Sequence, residues 1–288
     1  MESISIMATL IQYQTKASLY DGPFDSVAGW SAAGMGYLIK TDGGKLIAID
    51  GGYPNDAESF LELIESNSNG KAVVDLWIIT HPHGDHYYAL FEIAKREELK
   101  KRLCVNTILY HFPEEFTLNK PMGEDVLRRK ENMEFICASL GAKAYTPAVD
   151  EKIVIDNTEL HFLYTPTDCL ILNNPNQLSL IFTVQGPEKK LMITGDAFKR
   201  NLQIVVWRYD KALKCDILQM PHHGLCDTGL SDFYKRVNAK TVLIPISIAG
   251  DRCMNSDMYK DAPLVNRQAE NNADTVYKSF EGTVEIEI

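Results

Sequence analysis

Short apolar runs separated by turn residues dominate this chain, and their length and β-branched content predict strands more often than helices. In the first half, residues 4–12, 36–40 and 45–50 read as strands, the last running directly into Asp50-Gly51-Gly52. Residues 55–66 place Ala57, Phe60, Leu61 and Ile64 at helical spacing, with Asn55 or Asp56 as the N-cap. Residues 73–80 form a continuous apolar strand. The pattern then predicts a helix over 88–103, a strand over 105–110 and a long amphipathic helix over 123–140, bounded by Gly141. In the second half, 152–155, 159–164, 178–184 and 190–194 read as consecutive strands, the last ending in Gly195-Asp196. A helix over 201–213 precedes a strand over 216–220, which leads into Pro221-His222-His223-Gly224; a helix over 231–237 and a strand over 241–246 follow.

The 288 residues, 45% hydrophobic and 24% charged, are enough to bury a large core. No repeat, low-complexity tract or Pro/Gly-rich linker interrupts them, so residues 1–288 are expected to form one domain. A formal net charge of −10 repels polyanions at long range, which disfavours nucleic acid and favours a small-molecule substrate. The six cysteines are dispersed without a C-x-x-C pair and read as the reduced thiols of a cytoplasmic protein. Neither a signal peptide over 1–15 nor an 18-residue apolar run is present, so no membrane is expected as a partner. The oligomeric state is not legible.

The chemistry is concentrated after the strand over 73–80, in Thr80-His81-Pro82-His83-Gly84-Asp85-His86. Alternating His81 and His83 can chelate one cation from an extended strand end, while Asp85 and His86 turn toward a neighbouring position. Imidazole together with carboxylate suits zinc, manganese or iron. Only seven histidines occur in the whole chain, so three of them beside an Asp at these spacings are not explained by packing. Taken singly, Asp50-Gly51-Gly52, Gly195-Asp196 and His222-His223-Gly224 are ordinary turns.

In their order and separations, these segments resemble the metallo-β-lactamase superfamily over nearly the whole chain. The resemblance implies an α/β (α+β) four-layer αββα sandwich, the metallo-β-lactamase fold, with metals at the edge shared by its halves. It further implies that His81 and His83 hold a first metal, that Asp85 and His86 hold a second, and that Asp196 bridges them. One of His222 and His223 completes the second site, and the other is left for a supporting or substrate-contacting role. Asp50 resembles the family's buried acid that orients a ligating histidine, a duty Thr80 could share. The cofactors implied are two divalent ions, zinc first, with manganese or iron as alternatives.

One departure from the family pattern matters. Where most relatives carry a further histidine for the first metal, this chain reads Thr165-Pro166-Thr167-Asp168. Asp168 could supply an oxygen there, or the Asn173-Asn174-Pro175-Asn176 turn could approach the metal; His161 falls several residues too early and reads as structural. With Asn-Gln-Leu-Ser-Leu-Ile-Phe at 176–182, Thr-Gly-Asp at 194–196, Pro-His-His-Gly at 221–224 and the terminal 276–284 segment, the departure resembles the branch of the DNA-uptake channel hydrolase domain and the phosphorylcholine esterases.

That resemblance implies an enzyme, a metal-dependent hydrolase using a metal-bound hydroxide on a phosphodiester or related ester, with Asp85, Asp196, His222 and His223 as the catalytic group. A non-catalytic metal-binding or sensor protein on the same fold is the alternative. A di-iron redox protein is a further one, against which stands His83, where those relatives carry Glu.

Overall fold

The computed structural model describes residues 7–24, 34–68, 70–112, 120–166, 174–225, 229–256 and 265–288. Two seven-stranded sheets form its centre. The first joins β1 (Thr9–Gln12), β2 (Gly36–Lys40), β3 (Leu46–Asp50), β4 (Ala72–Ile78), β5 (Leu103–Leu109), β6 (Lys143–Tyr145) and the C-terminal β14 (Val284–Glu287) in the order β14-β1-β2-β3-β4-β5-β6. The second joins β7 (Lys152–Ile155), β8 (Thr158–Tyr164), β9 (Ile181–Gln185), β10 (Lys190–Ile193), β11 (Ile217–Gln219), β12 (Thr241–Ile244) and β13 (Thr275–Lys278) in the order β13-β12-β11-β10-β9-β8-β7. Each sheet is mixed in the same way. Pairing is antiparallel from β14 to β3 and from β7 to β10, then parallel from β3 to β6 and from β10 to β13.

Helices cover the outer faces: α1 (Ala57–Asn67), α2 (Gly84–Lys95), the single turn α3 (Glu97–Lys100), α4 (Lys120–Leu140), α5 (Lys199–Tyr209), α6 (Ser231–Val237), α7 (Ile248–Met254) and α8 (Asn266–Asn272). Because both faces of a central strand are buried, its sequence is apolar without alternation. In β3, Ile47 and Ile49 join the buried cluster that also holds Phe162, Phe182 and Ile193 of the other sheet, while Leu46 and Ala48 belong to the cluster shared with the helices. The result is an αββα sandwich in four layers. Among the described residues, no helix is long and apolar enough to cross a membrane.

The differences from the sequence reading have local causes. The helix expected from residue 88 begins at Gly84, because His83 is extended (φ −90°, ψ 150°) and Asp85 in the first turn suits the positive end of the helix dipole. It also stops at Lys95, so that Leu103, expected as its end, opens β5 instead. The strand expected from 178 begins at Ile181. Pro175 starts a 3₁₀ turn over Pro175–Leu178, and the Asn174 side chain caps it by accepting from the Asn176 N–H at 2.9 Å. The edge strand β6 carries Lys143 and Ala144 exposed, which leaves no apolar pattern to read.

The parallel halves decide where chemistry can sit. β3 and β4 run side by side, as do β10 and β11, so their carboxyl ends emerge together at one rim. Trp77 in β4, fully buried and packed edge-on against Phe60, donates from its indole N–H to the Asp50 carbonyl at 2.8 Å. Replacement of Trp77 by Phe removes that bond and part of the ring volume. It is expected to destabilise the protein by about 1–3 kcal/mol, which urea denaturation followed by circular dichroism would measure.

Candidate metal centre

Four strand ends deliver the side chains. β3 ends in Asp50, β4 leads into His81 and His83 and the first turn of α2 with Asp85 and His86, β10 leads into Asp196, and β11 leads into His222 and His223. Backbone hydrogen bonds tie these ends together: Leu180 N–H donates to Thr80 O at 2.9 Å, His222 N–H to Gly195 O at 3.1 Å, and Met35 N–H to Asp85 O at 3.1 Å. Gly195 has φ +51°, and a Cβ there would lie 3.1 Å from both Thr80 and Ser179. Glycine is therefore what permits the close approach of the two sheets' loops.

Asp196, 2% exposed, stands at the centre. Its Oδ2 lies 3.4 Å from His81 Nε2 and 4.0 Å from His222 Nε2. Its Oδ1 lies 3.4 Å from His86 Nε2 and 3.4 Å from His223 Nε2, and His223 Nε2 is 3.1 Å from Asp85 Oδ2. The two carboxylate oxygens thus face separate groups. Asp85, His86, Asp196 and His223 offer ligand atoms within 4.8 Å of one another, and so do His81, His83 and Asp196.

The fit to cations is visible in the unpaired atoms. His81 Nε2, His86 Nε2, His223 Nε2 and Asp196 Oδ1 are buried without a hydrogen-bond partner, an arrangement that is costly unless something else binds them. Their other ring nitrogens are held. His86 Nδ1 lies 2.7 Å from Asp50 Oδ2, which also accepts from the Thr80 hydroxyl at 2.8 Å; Thr80 Oγ1 in turn lies 3.2 Å from His81 Nδ1. His223 Nδ1 donates to Pro245 O at 2.8 Å. Each Nδ1–H so engaged leaves the Nε2 lone pair directed into the cluster.

Electrostatics divide the histidines. Burial pushes His81 down to about 3 and His222 down to about 4, so both are neutral. Burial also opposes charge on His86 and His223, but Asp196 and Asp85 outweigh it, raising His86 well above its usual value and His223 to about 10. Burial would raise Asp196 too, yet His223, His86 and His81 hold it well below the carboxylate range. The upward shifts of His86 and His223 favour binding of a proton at each position, in competition with a cation.

The backbone is strained at this place. His222 (φ 50°, ψ 49°) and His223 (φ 56°, ψ 16°) are both left-handed, as are Gly224 and Asp50. Successive left-handed residues turn both imidazoles toward Asp196, where an extended strand would point them apart.

An open cleft of about 630 Å³ reaches this cluster, lined by His83, Asp85, Asp196, His222 and His223 and further by Tyr53, Tyr88, Arg129, Asn176 and Phe198. Burial, with the charges of Asp85 and Asp196, raises the Tyr53 phenol far above its usual range, so that it stays a hydrogen-bond donor. Tyr53, Arg129 and Phe198 escaped the sequence reading. Tyr53 directly follows Asp50-Gly51-Gly52 and could have been found by that adjacency; Arg129 reads as one more charge on a solvated helix. Asp168 lies outside the described residues. His161 sits in β8 beside Asp150 at 3.4 Å and Tyr209, with no part in the cluster.

The family model of the metallo-beta-lactamase superfamily matches residues 33–246. No curated protein matches by sequence. Among solved structures, the metallo-beta-lactamase fold protein YhfI from Bacillus subtilis superposes with a TM-score of 0.57 at 14% identity, over 97% of this chain and 100% of that one. A diphosphatase from the PhnP family gives 0.53 at 14% identity over 98% of each chain. Zn(2+)-bound PqqB from Methylobacterium extorquens gives 0.57 at 9% identity, over 98% of this chain and 100% of that one. At these identities the likeness concerns the fold.

Two expectations follow. Replacing Asp50 by Asn removes the carboxylate that orients His86, and metal affinity should fall about 10–100-fold, as isothermal titration of zinc into chelator-treated protein would record. Because the raised values of His86 and His223 make proton binding compete with a cation, zinc affinity should rise as pH increases from 6 to 8. Titrations in buffers of different ionisation enthalpy would count the released protons; no net release would contradict the assignment.

Proposed function

Since the chain belongs to the metallo-β-lactamase superfamily, we propose that it is a hydrolase that holds two divalent cations and cleaves a phosphodiester or a related ester. One observation carries the reading: the buried Asp196 carboxylate turns each oxygen to a separate set of imidazoles, with His81 and His222 on one side and His86 and His223 on the other. In this reading His81, His83 and His222 hold the first ion with Asp196, and Asp85, His86 and His223 hold the second with it. His222 thereby fills the role of the histidine that is missing at 165–168. Zinc is the first candidate, the donor set also suiting manganese or iron.

Such ions would supply Lewis acidity and lower the pKa of a coordinated water. The chain's own groups do the rest. Asp85, which lines the cleft, is placed to orient the attacking water and to carry its proton to the leaving oxygen. Tyr53 offers a neutral O–H to an oxygen on which charge develops. His223 and His86 are kept in register by Pro245 O and Asp50. A phosphorus substrate accords with the diphosphatase that shares the fold and with the acidic chain's preference for a small ligand. The cleft's openness to the cluster favours catalysis over a closed metal sensor.

The zinc- or manganese-loaded protein is expected to hydrolyse bis-p-nitrophenyl phosphate in preference to p-nitrophenyl acetate and a β-lactam. Asp196→Ala should abolish paired-metal binding and bring turnover to background, whereas His222→Ala and His223→Ala should each reduce bound metal from two ions to one per chain. Elemental analysis with the same assays checks this; an active Asp196→Ala protein sinks the proposal, and a metal-replete wild type silent on all three substrates would favour the sensor.

A further inference from the structure

Arg129 lies on α4, which otherwise belongs to the outer helical layer, yet its side chain lines the cleft that reaches the cluster. Among the described residues lining that cleft, it is the one Lys or Arg. Its place is set from within the metal-ligand loop, because Arg129 Nη1 donates to the carbonyl of Pro82, the residue between His81 and His83. It therefore sits in the cleft wall next to the loop that carries His83. A guanidinium keeps its charge at any working pH and presents five donors in a planar fork suited to phosphoryl oxygens.

A second polar group lines the cleft. Asn176, 4% exposed, lines the same cleft, and its Oδ1 is buried without a hydrogen-bond partner. Amide oxygen and nitrogen are interchangeable by a flip, so this group can meet either an acceptor or a donor on a bound molecule. Tyr53 and Phe198 supply aromatic surface to the same cleft. A chain of net charge −10 repels an anion at a distance, so an anionic substrate needs a local cation at the point of binding.

We propose that Arg129 is the specificity-determining residue of this cleft, holding a non-bridging phosphoryl oxygen beside His83 and so selecting phosphate esters over neutral esters. This rests on the hydrolase reading for its catalytic consequence, but the anion site itself can be tested by binding alone. Phenylphosphonate, a hydrolysis-resistant phosphoryl probe, is titrated calorimetrically into the metal-loaded wild type, Arg129→Gln and Arg129→Lys, with metal content measured for each. In parallel, kcat/KM is compared for bis-p-nitrophenyl phosphate and p-nitrophenyl acetate.

The expected result is a loss of phenylphosphonate affinity of about 10–100-fold in Arg129→Gln, a smaller loss in Arg129→Lys, and unchanged metal content. The ratio of phosphodiesterase to esterase kcat/KM should fall by a similar factor. Equal affinity in wild type and Arg129→Gln overturns the proposal, as does absence of binding to the wild type. Loss of metal with an equal decline on both substrates also overturns it, because it marks a role confined to bracing the Pro82 loop. Arg129-dependent binding by a wild type that hydrolyses neither substrate would leave the anion site standing and remove the hydrolase reading.

Discussion

A buried carboxylate surrounded by imidazoles is the constraint on which the rest of the structure depends. Removing an ion such as that of Asp196 from water costs several kcal/mol unless opposite charge is supplied at short range. Here the compensation comes from both sheets. His81 and His86 arrive from β4, while His223 arrives from β11, beside the strand that carries Asp196 itself. Neither half of the sandwich could bury this charge alone, so closure of the two sheets and assembly of the cluster are one requirement. The bond from Leu180 N–H to Thr80 O and the glycine at 195 are the places where that requirement is met at close range.

Strain gathers at the same rim. Asp50, His222 and His223 all adopt left-handed backbone, which costs on the order of 1–3 kcal/mol for each such residue unless the surroundings hold it. The surroundings do so specifically. Trp77 fixes the Asp50 carbonyl, Gly195 O receives the His222 N–H, and Pro245 O holds the His223 ring. The ligand atoms are in consequence oriented by bonds to their own loops. A rigid donor set lowers the reorganisation needed when a cation or a substrate arrives.

Much of this was legible in the sequence because the ligands sit at strand ends, and strands that end in Gly or His after an apolar run announce themselves. The runs before Asp50, His81, Asp196 and His222 all end where the structure gathers its functional groups. What could not be read depends on the third dimension. From the sequence, one of His222 and His223 completes the second site and the other keeps a lesser part, because backbone handedness is invisible in a dipeptide; the structure turns the pair to different oxygens of Asp196. Arg129 was missed because a helix shows its charges alike, whether they face water or a cleft. The start of α2 was misplaced because Gly84 and Asp85 look like loop residues until the helix dipole gives Asp85 a reason to be there. The last elements, from α7 to β14, are short and half exposed, so their apolar signal is diluted.

The paired histidines at 222 and 223 also have a consequence for how this scaffold can change. In the proposed two-ion arrangement, two imidazoles drawn from a single left-handed turn concentrate in one loop what would otherwise occupy two. The wall formed at Asn174, Pro175 and Asn176 is then relieved of imidazole duty and carries amides toward the cleft. Binding preference and the cation cradle become separable inheritances: the first can drift by substitution at one rim while the second stays anchored at another, giving one metal scaffold latitude to meet differently shaped ligands.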